Sequence, residues 1–100
     1  MSYAWEKFNN TIYDLATGEK PLRQRLVDAY SQHIEVLREE NIPEEIKAEF
    51  TQLSNDISRA ENQGEGTIDA TVKQLKDSEI LQIVERIMTI YQKLCTLKDL

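Results

Sequence analysis

The chain has 100 residues, of which 40% are hydrophobic and 30% charged, with three glycines and two prolines. This length is typical of one domain, residues 1–100, that buries a core without disulfides or metals, and the scarcity of turn residues argues against an all-β fold. The net charge of −6, from 18 acids and 12 bases spread along the chain, argues against a nucleic acid as the main partner.

The sequence also lacks the features that direct a chain to a membrane or to an oxidising compartment. Its single cysteine, Cys95, cannot form an internal disulfide. The start, MSYAWEKFNN, has no basic region followed by an apolar one, as a secretion signal would, and no apolar run approaches the length of a membrane span. We therefore expect a soluble, cytoplasmic protein with no membrane partner.

Apolar residues recur at helical spacing almost everywhere, which predicts an all-helical fold. The first helix is predicted over roughly residues 2–16, and Gly18 is expected to close it as a left-handed C-cap. Pro21 is expected to open the second helix, which should end near Asn41. The apolar side of this second helix consists of Leu22, Leu26, Ala29, Tyr30, Ile34 and Leu37.

The third helix is predicted to start at Pro43, with Glu44 and Glu45 near the positive end of its dipole. Its apolar residues form a narrow line, so we expect it to contact the rest of the fold along one seam. That line consists of Ile46, Phe50, Leu53, Ile57 and Ala60. The following segment, ENQGEG, is predicted to be a loop, after which Thr67 should cap a short helix. The apolar residues of this short helix are Ile68, Val72 and Leu75.

The last helix, which Asp77 or Ser78 is expected to cap, is the longest and the most apolar. At about 100° per residue its apolar side chains cover roughly half of the circumference. They are Ile80, Leu81, Ile83, Val84, Ile87, Met88, Ile90, Tyr91, Leu94 and Cys95. Such a helix is either central to the fold or shared with another chain. Because the loops are short, we predict a compact antiparallel bundle of four main helices plus one short helix.

The only histidine, His33, lies inside the apolar arc of the second helix, between Ala29 and Leu26 on a helical wheel. This position favours packing, with a half-buried ring of which one nitrogen bonds a carbonyl or water. A phosphorelay role would need an exposed imidazole with small neighbours, whereas Ile34 and Glu35 follow here. A metal site would need further ligands, and the chain has no second histidine.

No catalytic residue or cofactor is predicted. Cys95 has no recognisable partner base, so we interpret it as a packing thiol at the edge of the core. The ENQGEG loop resembles a calcium loop only in part. A register that starts at Glu61 places Gly66 correctly at the sixth position, but Val72 occupies the twelfth, where a bidentate carboxylate is required, and Gln63 is a poor third ligand. Phosphate-binding and nucleophile-elbow motifs do not occur in the sequence.

Four carboxylates surround the predicted turn between the second and third helices, and we call them the acidic corner. They are Glu39, Glu40, Glu44 and Glu45. Arg38 and Lys47 compensate their charge only in part. The acidic corner is interpreted either as a solvated turn or as a docking surface for a basic partner. Acid–base catalysis would need a pocket that raises one pKa, which an exposed turn does not supply.

Three stretches, LRQRLVDAYSQHIEVL, NIPEEIKAEFTQL and GTIDATVKQLKDSEILQIVERIMTIYQKL, together resemble a family of small bacterial helical proteins of about this length. The resemblance covers nearly the whole chain, mainly through IPEEIKAEF and the stretch from TIDATV to DSE. It implies a helical fold and a bacterial, cytosolic origin. It carries no catalytic or binding residue over to this chain.

Two functions follow as hypotheses. The first is a non-enzymatic helical protein that acts through protein contacts, with self-association as a homodimer through the last helix. The residues expected at that interface are Ile83, Ile90 and Leu97, continued by Leu100. The alternative is a small apolar ligand or cofactor held between the helices. The residues expected to line its cavity are Trp5, Tyr30, His33 and Tyr91.

Overall fold

The computed structural model describes residues 2–61, 64 and 66–98. Five α-helices follow one another in these ranges: α1 (Tyr3–Thr17), α2 (Leu22–Ala29), α3 (Lys47–Ile57), α4 (Thr67–Gln74) and α5 (Asp77–Lys98). A π turn (Tyr30–Ile34) and two 3₁₀ turns (Glu39–Asn41 and Glu44–Ile46) connect α2 to α3. The described residues contain no strand, so the all-helical prediction is confirmed. The Cα radius of gyration is 13.1 Å, close to the roughly 13 Å of a compact domain of this size.

The longest helix, α5, supplies the widest part of the core, with α1 and α3 packed against it. Its buried side chains are Ile80, Ile83, Ile87, Ile90 and Leu94. The apolar arc of α5 extends beyond this buried face, since Leu81 and Met88 are 52% and 45% exposed. None of the helices in the described ranges combines the length and apolar character that crossing a bilayer requires.

The end of α1 differs from the prediction. Gly18 has φ −67° and ψ 152°, an extended conformation, so the prediction of a left-handed C-cap is wrong. Glycine is instead favoured by lack of space, because a Cβ here would lie 2.6 Å from Cδ of Arg25. The Arg25 guanidinium is itself held in place, since it donates hydrogen bonds to the carbonyls of Leu15 and Lys20.

The second helix also ends earlier than predicted. After α2 the chain enters the π turn, closed by a 2.9 Å hydrogen bond from the N–H of Glu35 to the carbonyl of Tyr30. No helix continues to Asn41, which lies in a separate 3₁₀ turn and accepts a hydrogen bond from the N–H of Arg38 through its side chain. The prediction of one helix from Pro21 to Asn41 is therefore wrong.

The third helix follows the predicted seam. Ile46, Phe50, Leu53 and Ile57 are buried, and Ala60 is half-buried. The chain after Pro43 first forms a 3₁₀ turn, so α3 itself begins only at Lys47. The placement of the apolar residues was thus predictable, whereas the helix start lies four residues later than expected.

The start of α4 depends on a glycine rather than on a threonine cap. Gly66 precedes the helix with φ 100° and ψ 152°, a conformation that costs little only without a Cβ. Thr67 is the first helical residue, so the prediction that it caps the helix is wrong. Its carbonyl accepts a 2.7 Å hydrogen bond from the hydroxyl of Thr71. The predicted apolar residues Ile68, Val72 and Leu75 are buried.

At the start of α5 the first helical residue is Asp77, preceded by Lys76. The N–H of Lys76 donates a 2.8 Å hydrogen bond to Oε1 of Glu79. A side chain within the first turn therefore satisfies this exposed donor. Asp77 and Ser78 lie inside the helix, and neither is its cap as predicted.

Arg23 of α2 joins the end of α4 to the start of α5. Its Nη1 donates hydrogen bonds to the carbonyls of Val72 and Leu75, the latter at 2.7 Å. Its Nη2 lies 2.8 Å from Oδ1 of Asp77. Carbonyls at the C-terminal end of a helix have no partner within that helix. The Val72 carbonyl also accepts a hydrogen bond from the N–H of Leu75, so the guanidinium adds to the cap of α4 and links it to the start of α5.

We predict that Arg23→Met lowers the free energy of unfolding by about 2 kcal/mol, because methionine keeps the apolar stem and removes the charge-assisted hydrogen bonds to the carbonyls of Val72 and Leu75. The Val72 carbonyl keeps the N–H of Leu75 as a partner. Arg59→Met, at an exposed position, is the control, and both variants are measured by urea denaturation. Equal losses in the two variants would contradict the role of Arg23.

We also predict that Gly18→Ala costs about 1 kcal/mol of stability, because the added methyl group overlaps the Arg25 side chain. The same substitution in an Arg25→Ala background should cost much less. A double-mutant cycle measured by thermal unfolding isolates this interaction. Additive effects of the two substitutions would show that the close approach to Arg25 is not the reason for glycine.

Candidate functional site

A surface groove of about 340 Å³ lies between α3 and the chain that runs from the π turn to Glu39. We call it the Tyr30 groove. Its buried lining residues form an apolar floor: Tyr30, Ile34, Leu37, Phe50 and Ile68. Its more exposed lining residues form a polar rim: Glu35, Arg38, Glu39, Thr51, Ser54, Asn55 and Ser58. The groove thus joins an apolar surface to hydrogen-bonding and charged groups, as small binding sites commonly do.

The Tyr30 side chain lies at the bottom of the groove and is 3% exposed. Its hydroxyl lies 3.1 Å from Oγ of Ser54 on α3. Burial raises the pKa of Tyr30 above its ordinary value, and the negative charge of Glu35 adds to this rise. The hydrogen bond with Ser54 and the charge of Arg86 act in the opposite direction. The hydroxyl therefore stays protonated at neutral pH and can donate or accept a hydrogen bond.

His33, in the same π turn, contacts a different helix. Its Nε2 lies 2.7 Å from Oδ2 of Asp14 on α1. Because a carboxylate oxygen accepts, the Nε2–H donates. The ring is half-buried, as predicted, but its partner is a carboxylate rather than a carbonyl or water. His33 therefore connects the π turn to α1.

The thiol of Cys95 lies in an aromatic cluster at the contact between α1 and α5. It accepts a 3.3 Å hydrogen bond from Nε1 of Trp5. The rings of Trp5 and Tyr91 stack with centroids 6.3 Å apart, and the Tyr91 hydroxyl donates to Oδ1 of Asn9 at 2.9 Å. The interaction with the neighbouring Cys95 thiol is the main cause that raises the pKa of Tyr91, and burial adds to the rise. Cys95 is half-buried, and its neighbours are those of a packing residue.

All four residues of the acidic corner are exposed: Glu39, Glu40, Glu44 and Glu45. Glu44 pairs with Lys47 across 3.1 Å. Glu39 accepts a 3.3 Å hydrogen bond from the Thr51 hydroxyl and lies on the rim of the Tyr30 groove. The acidic corner and the Tyr30 groove therefore share one carboxylate, that of Glu39.

The apolar residues expected at a homodimer interface lie in different environments. Ile83 and Ile90 are 5% and 1% exposed within the single chain, so their side chains offer little surface to a second copy. Leu97 is half-buried and, together with Glu45, lines a groove of about 310 Å³. Leu100 lies outside the described residues. The most exposed aliphatic side chains of α5 are instead Leu81 and Met88.

The four residues expected to line a ligand cavity take part in three separate interactions. Tyr30 lines the Tyr30 groove. Trp5 and Tyr91 stack on each other, and His33 bonds Asp14. The sequence pattern gave no indication of Ser54 or Thr51, because single hydroxyl residues on the polar side of a helix are common at any exposed surface.

Gln63 of the ENQGEG loop, considered above as a calcium ligand, lies outside the described residues. Within the described ranges, no three imidazole, thiol or carboxylate side chains come together as a metal site would require.

Comparison with models of protein families, with curated proteins and with solved structures found no match. The resemblance to small bacterial helical proteins therefore stays a prediction.

The raised pKa of Tyr30 predicts a loss of stability at high pH. As pH rises past about 10, the unfolded chain releases this proton before the folded chain does, so the free energy of unfolding falls. The stabilising contribution is complete below the unfolded pKa and is lost as pH rises through the folded pKa. In Tyr30→Phe the decline should be shallower, as measured by urea denaturation at a series of pH values. Tyr13→Phe, at an exposed tyrosine, is the control. If the free energy of unfolding falls with pH equally slowly in both variants, the prediction is contradicted.

Proposed function

We propose that this chain is a non-enzymatic, cytoplasmic interaction protein, an antiparallel helical bundle that binds a basic segment of a partner protein. The binding surface is the Tyr30 groove together with the acidic corner. The observation that carries the proposal is the position of Glu39, which belongs to both. A partner that enters the groove therefore also meets the negative charge beside it.

The chemistry of the groove fits a lysine or arginine side chain. Such side chains have an apolar stem and a charged head, which favour different surroundings. The stem can enter the groove, at whose base the buried side chains of Ile34 and Phe50 lie. The head then reaches the carboxylates of Glu35 and Glu39 on the rim, where charge-assisted hydrogen bonds are stronger than neutral ones.

The charge of the whole chain supports the same partner. A net charge of −6 attracts basic segments over distances of about a Debye length and raises their association rate. Arg38 is the cation on the rim of the groove, and it disfavours any bound group that brings a positive charge directly beside it. Arg38 thereby directs a basic side chain towards Glu35 and Glu39, which contributes to specificity more than to affinity.

We expect a short fluorescein-labelled peptide of alternating arginine and leucine to bind the protein, as measured by fluorescence polarisation. The variant Glu35→Lys/Glu39→Lys should bind it at least about tenfold more weakly, since two attractive charges become repulsive. The matched control is Glu6→Lys/Glu85→Lys, which makes the same change in net charge at exposed positions of α1 and α5.

An equal loss of affinity in both double variants would mean that the peptide responds only to net charge, and the proposed site would be wrong. A peptide with glutamate in place of arginine should not bind. Wild-type protein that binds neither peptide would overturn the proposal.

A small ligand in the Tyr30 groove is the second candidate function. The groove volume of about 340 Å³ lies at the lower end of the roughly 300–1,000 Å³ of small-molecule sites. The paired hydroxyls of Tyr30 and Ser54 offer a hydrogen bond at its floor. Native mass spectrometry of freshly purified protein tests this candidate: an adduct that is absent from a Ser54→Leu variant would support it, and bare wild-type protein would contradict it.

A further inference from the structure

The π turn makes one hydrogen bond to each of two helices on its sides. Tyr30 bonds Ser54 of α3, and His33 bonds Asp14 of α1. The turn has no proline or glycine, and its five residues are YSQHI. π turns are rare and occur mostly as single turns that continue an α-helix, as this one continues α2. The hydrogen bonds to α1 and α3 favour this geometry over a further α turn.

The π geometry allows these two hydrogen bonds to exist at the same time. In an α-helix, each residue advances by about 100°, so side chains three residues apart lie only about 60° from each other. In a turn closed from residue i to i+5, each residue advances by less, and side chains three apart point farther from each other. Tyr30 and His33 are three apart and reach different helices. An α turn over the same residues would direct them towards the same side.

The hydrogen bond that closes the π turn shows how the same residues would form an α turn instead. The N–H of Glu35 bonds the carbonyl of Tyr30 in the π turn. In an α turn the same N–H would bond the carbonyl of Ser31 instead. The backbone between these residues would then tighten, and either Tyr30 or His33 would leave its partner. The floor of the Tyr30 groove would change with it.

We propose that Asp14 and His33 are positioning residues for the Tyr30 groove. Their hydrogen bond holds the π turn and thereby keeps the Tyr30 hydroxyl against Ser54. Neither residue is among those that line the groove. The consequence for binding rests on the proposed function, whereas the effect on the turn does not.

Amide hydrogen exchange followed by NMR tests the effect on the turn without any ligand. The variants are Asp14→Ala and His33→Ala, and the control is Asp28→Ala, which removes another carboxylate that accepts side-chain hydrogen bonds, on α2. The rate at the Glu35 amide is compared with that at the Ile87 amide in the core of α5, because the second reports global unfolding. We expect this ratio to rise about fivefold in the first two variants, the effect of one hydrogen bond, and to stay unchanged in Asp28→Ala.

Asp14→Asn distinguishes positioning from simple packing. The asparagine side chain keeps an acceptor oxygen for the Nε2–H of His33, so it should restore most of the wild-type exchange ratio. Unchanged ratios in Asp14→Ala and His33→Ala would overturn the proposal. So would a ratio in Asp14→Asn that is as high as in Asp14→Ala, because the hydrogen bond would then not be the cause.

The binding arm uses the arginine–leucine peptide described above. Asp14→Ala should weaken its binding about fivefold, although Asp14 is not among the residues that line the groove. Unchanged affinity in Asp14→Ala would contradict the consequence for binding. If wild-type protein does not bind the peptide, the proposed function fails, and the exchange ratios still decide whether Asp14 and His33 hold the turn.

Discussion

The burial of the apolar face of α5 is the constraint on which the other contacts of this fold depend. Helices α1 and α3 pack against α5. Polar contacts at the two sides then fix the positions of these helices: Arg86 and Lys93 of α5 pair with Asp56 and Glu49 of α3. Tyr91 of α5 bonds Asn9 of α1. The apolar face provides most of the driving force, and the directional contacts at its edges select one arrangement of the helices.

The Tyr30 groove is a consequence of how α2 is connected to α3. The chain must pass from one helix to the other while keeping Ile34, Leu37 and Ile42 buried. It does so through a π turn and two 3₁₀ turns rather than through one continuous helix. The Tyr30 groove lies between these turns and α3. The same change of direction brings Glu39 to the rim, so that the path of the backbone creates both the cavity and its charge.

Much of the fold was predictable from periodicity, because a buried side chain must be apolar and must recur at helical spacing. Ile46, Phe50, Leu53 and Ile57 were identified in this way. The π turn was not, because Tyr30, Ile34 and Leu37 have spacings that an α-helix would also satisfy. Gly18 shows a second limit. Glycine satisfies either a positive φ or a lack of space, and only the position of Arg25 decides between them.

Of the candidate site, only the group of four carboxylates was predictable from the sequence. The acidic corner follows from four nearby carboxylates in the sequence, whereas the groove beside it needs Ser54, which is 24 residues from Tyr30. Similarly, the wide apolar arc of α5 was evident, but its division into buried Ile83 and exposed Leu81 depends on where α1 and α3 lie. Contacts between residues far apart in sequence leave no local pattern.

The contact between Trp5 and Cys95 has an optical consequence. The chain has one tryptophan, and its indole donates to a sulfur atom 90 positions away. Sulfur close to an indole quenches its emission, and separation of the two removes the quenching. The intensity of Trp5 fluorescence therefore depends on whether α1 is packed against α5.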